Sequence, residues 1–587
     1  MKTAKSLAIL ALAVAAAQYP TFGEQLAAGK YAKSMNVVFP GVKEGVSLTN
    51  FPALVRLSTS IAGFRYADFS RPNGGDLRFA DANGNLIPHE IDTWNPNGVS
   101  TVWVKVPRLE KNVAITAHYG FTGSGNPQSV AAKDVWDDDY VGVWHLGESE
   151  LPLKESSATS SDFDSQHGTG VDYAAEGVVG GSVEFSGDPR NSVVAPDHDA
   201  LDGFSRFTIE VWTFQDELFA GAGILSKRTS SKSNVAYSVD NQLGSGNARR
   251  TVLTAGTSTT AAGVWSSTLT PTFGEWNHYA YTVDMASKSA SVRNVCGYLN
   301  GACPTTARFV YANTMPNCAS DLYLGNLDAA AIPSFKGRID EVRISKTVRS
   351  ADWILATHDT IANVGFSVCV FGEVDYGENV ANMLLKASTD KANPIDYVEN
   401  EPVKFNFRID GITNTLPLEV RAKEPLCVIW ERTADDGVRV KGTNTISLAG
   451  GCTVTTSLAV PGVIRMDAYL AGSDFKAIEY YDASNTKKNI TFGGGAGVAT
   501  ERMQMSTVEP ADFDAFWARA KAKLAAVQFN DSNVELTPVT PVGASSYTLR
   551  TFNFYAAKVP CVGSTGYVTG WLVIPKNAQP GSLPARV

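Results

Sequence analysis

The chain has 587 residues and a formal net charge of -9 at pH 7, and only 19% of its residues are charged. One hydrophobic core serves roughly 100–200 residues, so several domains are expected. The acidic balance, with no run of lysine and arginine, argues against nucleic acid or an anionic membrane as a partner.

Residues 1–17 read as a signal peptide. Lys2 and Lys5 form a charged start, residues 7–16 are apolar, and Ala15, Ala16 and Ala17 offer small residues before Gln18. The run is too short to span a bilayer, and no later window is apolar enough to do so. A secreted or periplasmic protein is expected, with no membrane span.

Residues 33–125 carry many short strand signals separated by turn clusters. FPALVRL at 51–57, DLRF at 76–79, HEIDTW at 89–94, VWVKVP at 102–107 and AITAHY at 114–119 all fit. That spacing predicts a β-sandwich. The order of these motifs is similar to an uncharacterised module of secreted bacterial proteins that often precedes a laminin-G-like domain. Asp76, Asp81 and Asp92 sit in or beside these signals, where capping of local backbone is expected over calcium binding.

Residues 135–374 form a second segment. FTIEVW at 207–212, WNHYAY at 276–281 and GRIDEVRIS at 337–345 alternate as strands. Together they resemble a concanavalin-A-like, laminin-G-like jelly roll. The resemblance implies glycan or protein binding, with calcium possible and no other cofactor expected. Strand alternation assigns Trp212 and Trp276 to the sandwich core. Asp137, Asp138 and Asp139 are expected to form a solvated turn, and no histidine pair has metal-ligand spacing.

Residues 377–497 read as a small immunoglobulin-like sandwich, with a hairpin turn at 435–437 and a flexible linker in the glycine run 493–497. Of seven cysteines, Cys427 and Cys452 are a possible disulfide within this module. A second pair is expected among Cys296, Cys303 and Cys318, while Cys369 and Cys561 suit buried thiols.

The last segment, 508–587, opens with EPADFDAFWARAKAKL at 509–524. Pro510 suits a first helical position. Acidic Asp512 and Asp514 precede basic Arg519, Lys521 and Lys523, as the helix dipole favours. Phe513, Phe516, Trp517, Ala520 and Leu524 share one face. Strands are predicted at 534–539, 547–555 and 567–576, the last reading YVTGWLVIPK with Gly570 and Pro575.

This helix and the GWLVIPK strand resemble the opening of the acetyl xylan esterase / cephalosporin-C deacetylase family of α/β-hydrolases. The resemblance covers only 508–587 and is most specific at Pro510, Asp512, Phe513, Phe516 and Trp517. It implies removal of acetyl groups from acetylated xylan or related glycans by serine acyl transfer. It also implies that Phe516 and Trp517 bury against 547–555. No serine lies in Gly-x-Ser-x-Gly, and His358 is the last histidine, so no catalytic triad fits in this segment. No catalytic residue is therefore assigned in this chain.

The fold class expected is mainly β: tandem sandwiches followed by the truncated start of an α/β-hydrolase domain. The function expected is that of a fragment of a secreted carbohydrate esterase with accessory glycan-binding sandwiches. The alternatives are a glycan- or protein-binding adhesive and a cell-surface array without a small-molecule site. A polysaccharide or cell-surface glycan is the expected partner.

Overall fold

The computed structural model describes residues 24–217, 219–229, 234–243, 249–257, 269–286, 295–303, 315, 317–328, 334–413, 415–482, 486–504, 510–527, 533–541, 550–562 and 566–579. The expected signal peptide lies outside them. The chain divides into two compact units, residues 1–500 and 501–587. The protein is mainly β and sandwich-built. Among the described residues, no helix is long and apolar enough to cross a membrane.

The first sandwich of unit 1 packs a five-stranded sheet on a three-stranded one. The strand Tyr31–Val38 pairs with Ala114–Phe121 on one side. On its other side it pairs with Val368–Val370, so that Val37 lies opposite Cys369. A strand from far along the chain thus completes this sheet. Facing it are Ser47–Leu57, Ser100–Glu110 and His89–Thr93. Phe51, Leu54, Phe79, Trp103 and Tyr119 are fully buried.

Asp76 caps local backbone: it accepts from the amides of Ser70, Arg71 and Phe121. Asp81 does the same for Asn83 and Asn85. Asp92 accepts from the hydroxyls of Thr93 and Thr101.

The second sandwich stacks a seven-stranded sheet on a six-stranded one. In the strand Arg206–Phe214, Phe207, Ile209 and Val211 enter the core between the sheets. Period-2 geometry turns Thr208, Glu210 and Trp212 to the opposite face. That outer face is covered as well. The helix Ala351–Ala362, capped by Ser350, lays Ile354 on Ala280 and Tyr298, and Trp353 against Phe51 of the first sandwich. Arg56 caps the helix C-terminus, donating to the carbonyl oxygens of Thr360 at 3.1 Å and Ile361 at 2.5 Å. One apolar cluster therefore joins Phe51, Trp103 and Trp136 to Trp212 and Trp353. Asp137, expected in a solvated turn, instead grips the buried Arg349 guanidinium at 2.8 and 3.0 Å.

The third sandwich packs a three-stranded sheet against a four-stranded one. One sheet holds Leu384–Thr389, Val403–Asp410 and Cys452–Thr456. The other runs Arg439–Ile446, Leu426–Ala434, Gly462–Ala471, Thr491–Val498.

Two expectations are corrected here. The glycine run 493–497 is no linker, because it lies inside the strand Thr491–Val498 and pairs with Gly462–Ala471 throughout. Close approach explains the glycines. A Cβ on Gly494 would come 2.5 Å from the Phe492 ring, and one on Gly495 would come 2.5 Å from the Ile464 carbonyl oxygen. Nor do Cys427 and Cys452 form a disulfide: both remain thiols. They belong to strands of opposite sheets, and burial followed by the nearby Cys427 pushes the Cys452 thiol up to about 11.

Unit 2 contains the helix Phe513–Ala525 and an antiparallel sheet of Glu535–Pro538, Phe552–Pro560 and Tyr567–Pro575. Pro510 lies in the turn before the helix, where its carbonyl oxygen accepts from the Phe513 amide. No described residue of this unit is buried. Phe516 is 53% and Trp517 47% exposed, so the tight burial implied by the family resemblance is absent. Of the expected partner segment 547–555, residues 547–549 lie outside the described residues. The helix aromatics instead touch each other, Phe516 on Trp517 at 5.5 Å.

Candidate functional site

The aromatic residues of the second sandwich do not form an open sugar platform. Trp212 is buried, yet on the outer face of its sheet rather than in the core between the sheets. Its ring stacks on His278 at 5.1 Å and on His358 at 5.5 Å. Trp276 is half-buried at the sheet margin beside Phe214, with the Arg338 guanidinium 4.1 Å from the Phe214 ring and 5.4 Å from its own. Both tryptophans were expected in the core. Trp212 is out of phase with Phe207, Ile209 and Val211, which fill that core, and a second layer covers it on the outer face.

Beside this face lies a buried charge cluster. His145 Nδ1 is 2.7 Å from Glu341 Oε1, and Nε2 is 3.5 Å from Glu90 Oε2. Its ring stacks on Trp103 at 5.7 Å. Glu341 also accepts from Arg343 at 2.6 Å, and Glu90 from Trp136 Nε1 at 2.8 Å and Ser156 at 2.7 Å. The Arg343 guanidinium covers the Trp103 ring at 4.4 Å. Burial alone would lower the His145 pKa, but Glu341 and Glu90 outweigh it and hold it well above its ordinary value. Burial would raise Glu341, and the His145 and Arg343 charges pull it down instead. Two cations thus meet two carboxylates inside a buried junction. The cluster joins Glu90 of the first sandwich to the second and offers a substrate no access.

Lys227 is another buried cation. Its ammonium donates to the carbonyl oxygens of Cys318 at 2.9 Å and Ser320 at 2.6 Å, and to Asp197. Asp202 stands 3.4 Å away. An ammonium therefore fills this oxygen-lined niche. Among the described residues, no group of three or more histidine, cysteine or acidic side chains is placed to hold a metal ion.

An open concave surface occurs on the third sandwich. A groove of about 570 Å³ crosses the outer face of its four-stranded sheet. Strand register builds it: Ile429 lies beside Tyr469 and Tyr469 beside Thr491, while in the next row Lys441, Glu431, Asp467 and Gly493 follow in sequence. A Cβ on Gly493 would meet only Asp467, at 3.4 Å, so the trough is open there.

Trp430 borders the groove and donates its Nε1 to Asn444 at 2.8 Å. Charges on this face are paired. Lys441 lies 3.4 Å from Glu431, and Arg465 lies 2.6 Å from Asp467, whose carboxyl that hydrogen bond holds below its ordinary range. The sequence carried a signal for this face in the alternation of Arg465, Asp467 and Tyr469 opposite a strand of glycines.

The residues carrying the esterase resemblance do not assemble a site. Asp512 precedes the helix without a side-chain capping bond. Phe513 is exposed, and Gly570 and Pro575 lie in the strand Tyr567–Pro575.

Residues 186–355 match the concanavalin A-like lectin/glucanases superfamily. Residues 73–139 match a domain of unknown function, DUF2341. No curated protein matches the chain. Among solved structures, domain 4 of AbnA, an extracellular arabinanase from Geobacillus stearothermophilus solved with arabinotriose, aligns at 19% identity. That alignment covers 37% of this chain and 97% of the domain, with a TM-score of 0.27. The Trypanosoma rangeli sialidase solved with sialic acid aligns at 12% identity, over 46% of this chain and 44% of the sialidase, with a TM-score of 0.28. The receptor-binding domain of botulinum neurotoxin type G aligns at 12% identity, over 60% of this chain and 81% of that domain, with a TM-score of 0.26. The two-sheet jelly roll and the superfamily match define the middle of the chain as a concanavalin-A-like domain.

Proposed function

We propose that this chain is an exported carbohydrate-binding protein whose sandwiches hold a polysaccharide. The match of residues 186–355 to a superfamily of lectins and glucanases carries the reading. The leader-like residues 1–17 support export, and the net charge of -9 is consistent with an uncharged partner.

The finer part of the proposal is that unit 2 belongs to a carbohydrate esterase of the acetyl xylan esterase type. Its sheet supports this. Tyr555 with Leu572 and Asn553 with Ile574 share one face, while Phe554 with Val573 and Ala556 with Trp571 share the other. Both faces are largely apolar, as in α/β folds whose sheets are covered on both sides. Residues 359–587 contain no histidine, so these residues alone supply no base for acyl transfer.

Retention of the chain on insoluble xylan or arabinan tests the binding reading, and passage through every neutral polysaccharide would contradict it. Reading the coding sequence beyond Val587 tests the esterase. A Gly-x-Ser-x-Gly and a later histidine are expected, with acetate released from acetylated xylooligosaccharide by that product. An immediate stop codon would contradict it.

A further inference from the structure

The geometry points to the outer face of the third sandwich as a glycan-binding site, one that takes a neutral polysaccharide laid across the strands at Tyr469. The inference rests on the carbohydrate reading above and places binding outside the concanavalin-A-like domain. Three observations carry it.

The groove, at about 570 Å³, falls within the size of small-ligand clefts. Four strands span about 14 Å from first to last, so an extended chain can cross them. The lining combines an aromatic ring with polar groups able to read hydroxyls. Tyr469 lines the groove beside Ile429, and Glu431 and Asp467 stand in the adjoining row. A sugar ring has apolar C–H faces and a polar rim, and this pairing of surfaces suits both.

The charges select against an acidic chain. Glu431 and Asp467 occupy the middle of the trough, Glu431 paired with both Arg439 and Lys441 and Asp467 with Arg465. A uronic acid or sialic acid would set a third carboxylate beside these two and compete with them for cations that they already hold. Hydroxyls, by contrast, accept from the guanidinium and donate to the carboxylates without disturbing either pair. At Gly493 the missing side chain leaves the floor open to the ligand.

The test is affinity electrophoresis of the full chain through gels containing soluble arabinan, xylan, β-glucan or polygalacturonate. The wild type is expected to be retarded by at least one neutral polymer and not by polygalacturonate. Tyr469→Ala and Gly493→Leu are expected to weaken that retardation about tenfold, equivalent to about 1.4 kcal/mol. Tyr469→Phe should keep most of it, and thermal melts establish that each variant is folded. Retardation that persists unchanged in folded Tyr469→Ala and Gly493→Leu overturns the groove while leaving carbohydrate binding in place. Preference for polygalacturonate overturns the ligand class. A wild type that binds no polymer overturns both the groove and the reading beneath it.

Discussion

The indole of Trp212 lies parallel to the imidazole of His358, with ring centres 5.5 Å apart and planes 12° from coplanar. One residue belongs to a strand of the concanavalin-A-like sheet and the other to the helix that covers it. On its far side the same helix presses Trp353 against Phe51 of the first sandwich at 5.0 Å. The first two sandwiches therefore share an interior.

Shared packing makes them one cooperative unit. Trp353→Ala should destabilise both sandwiches together, by about 3–5 kcal/mol, the usual cost of deleting a buried aromatic side chain. Chemical denaturation followed by residue-specific exchange reads this out. Loss of protection in Phe51 and Ile209 at the same denaturant concentration is expected, and separate transitions would contradict it.

Titration of His145 gives a second prediction. Its folded pKa is raised, so the stability it contributes is full below about pH 6.5 and is lost as pH rises through the folded value. Glu90 and Glu341 are held low, and their contributions are present above about pH 4.3 and lost on acidification. Asp92, raised by burial to about 6, and Asp340, raised by burial and Glu341, run the opposite way on the acid side. The alkaline limb is the cleaner readout. The melting temperature should fall there in the wild type, and His145→Gln should flatten that fall. The same variant should cost about 3 kcal/mol or more at neutral pH by leaving buried carboxylates uncompensated. An unchanged alkaline limb in His145→Gln would contradict the assignment.

Much of this architecture was legible in the sequence, and the reason is periodicity. Phe207, Ile209 and Val211 alternate with polar residues, which fixes a strand with one face inward. What alternation does not encode is a second layer. The expectation of Trp212 in the sandwich core rests on strand alternation, whereas the residue is out of phase with Phe207, Ile209 and Val211, and a helix and another sandwich bury it from outside. The pairing of Val37 with Cys369 was equally invisible, since short strands carry no signal for a distant partner. The glycine run misled for a physical reason. Glycine has poor strand propensity, yet at 494 and 495 close neighbours demand it, and the adjacent strand supplies the hydrogen bonds. The groove beside it arises from the register of four strands, which no single stretch of sequence displays.

Cysteine chemistry offers a third check. Alkylation without reductant should modify both Cys427 and Cys452 once the protein is unfolded. In the folded state Cys452 should react slowly, because burial and Cys427 raise its thiol to about 11 and leave little thiolate at neutral pH. Peptide mapping that finds the two joined would contradict the structure.

The tryptophans separate the two units by exposure. Trp571 is 75% exposed and Trp103 is fully buried. Trp571→Phe should remove much of the acrylamide-quenchable fluorescence and change stability by no more than about 0.5 kcal/mol. Trp103→Phe should remove little of it. Emission from Trp571 that resists quenching would show its sheet face to be covered.

Isothermal titration of the full chain with soluble neutral polysaccharide addresses carbohydrate binding most directly. Saturable heat is expected with at least one such polymer, diminished in Tyr469→Ala and not reproduced by polygalacturonate. A folded protein giving no saturable binding to any neutral polysaccharide would contradict the central claim.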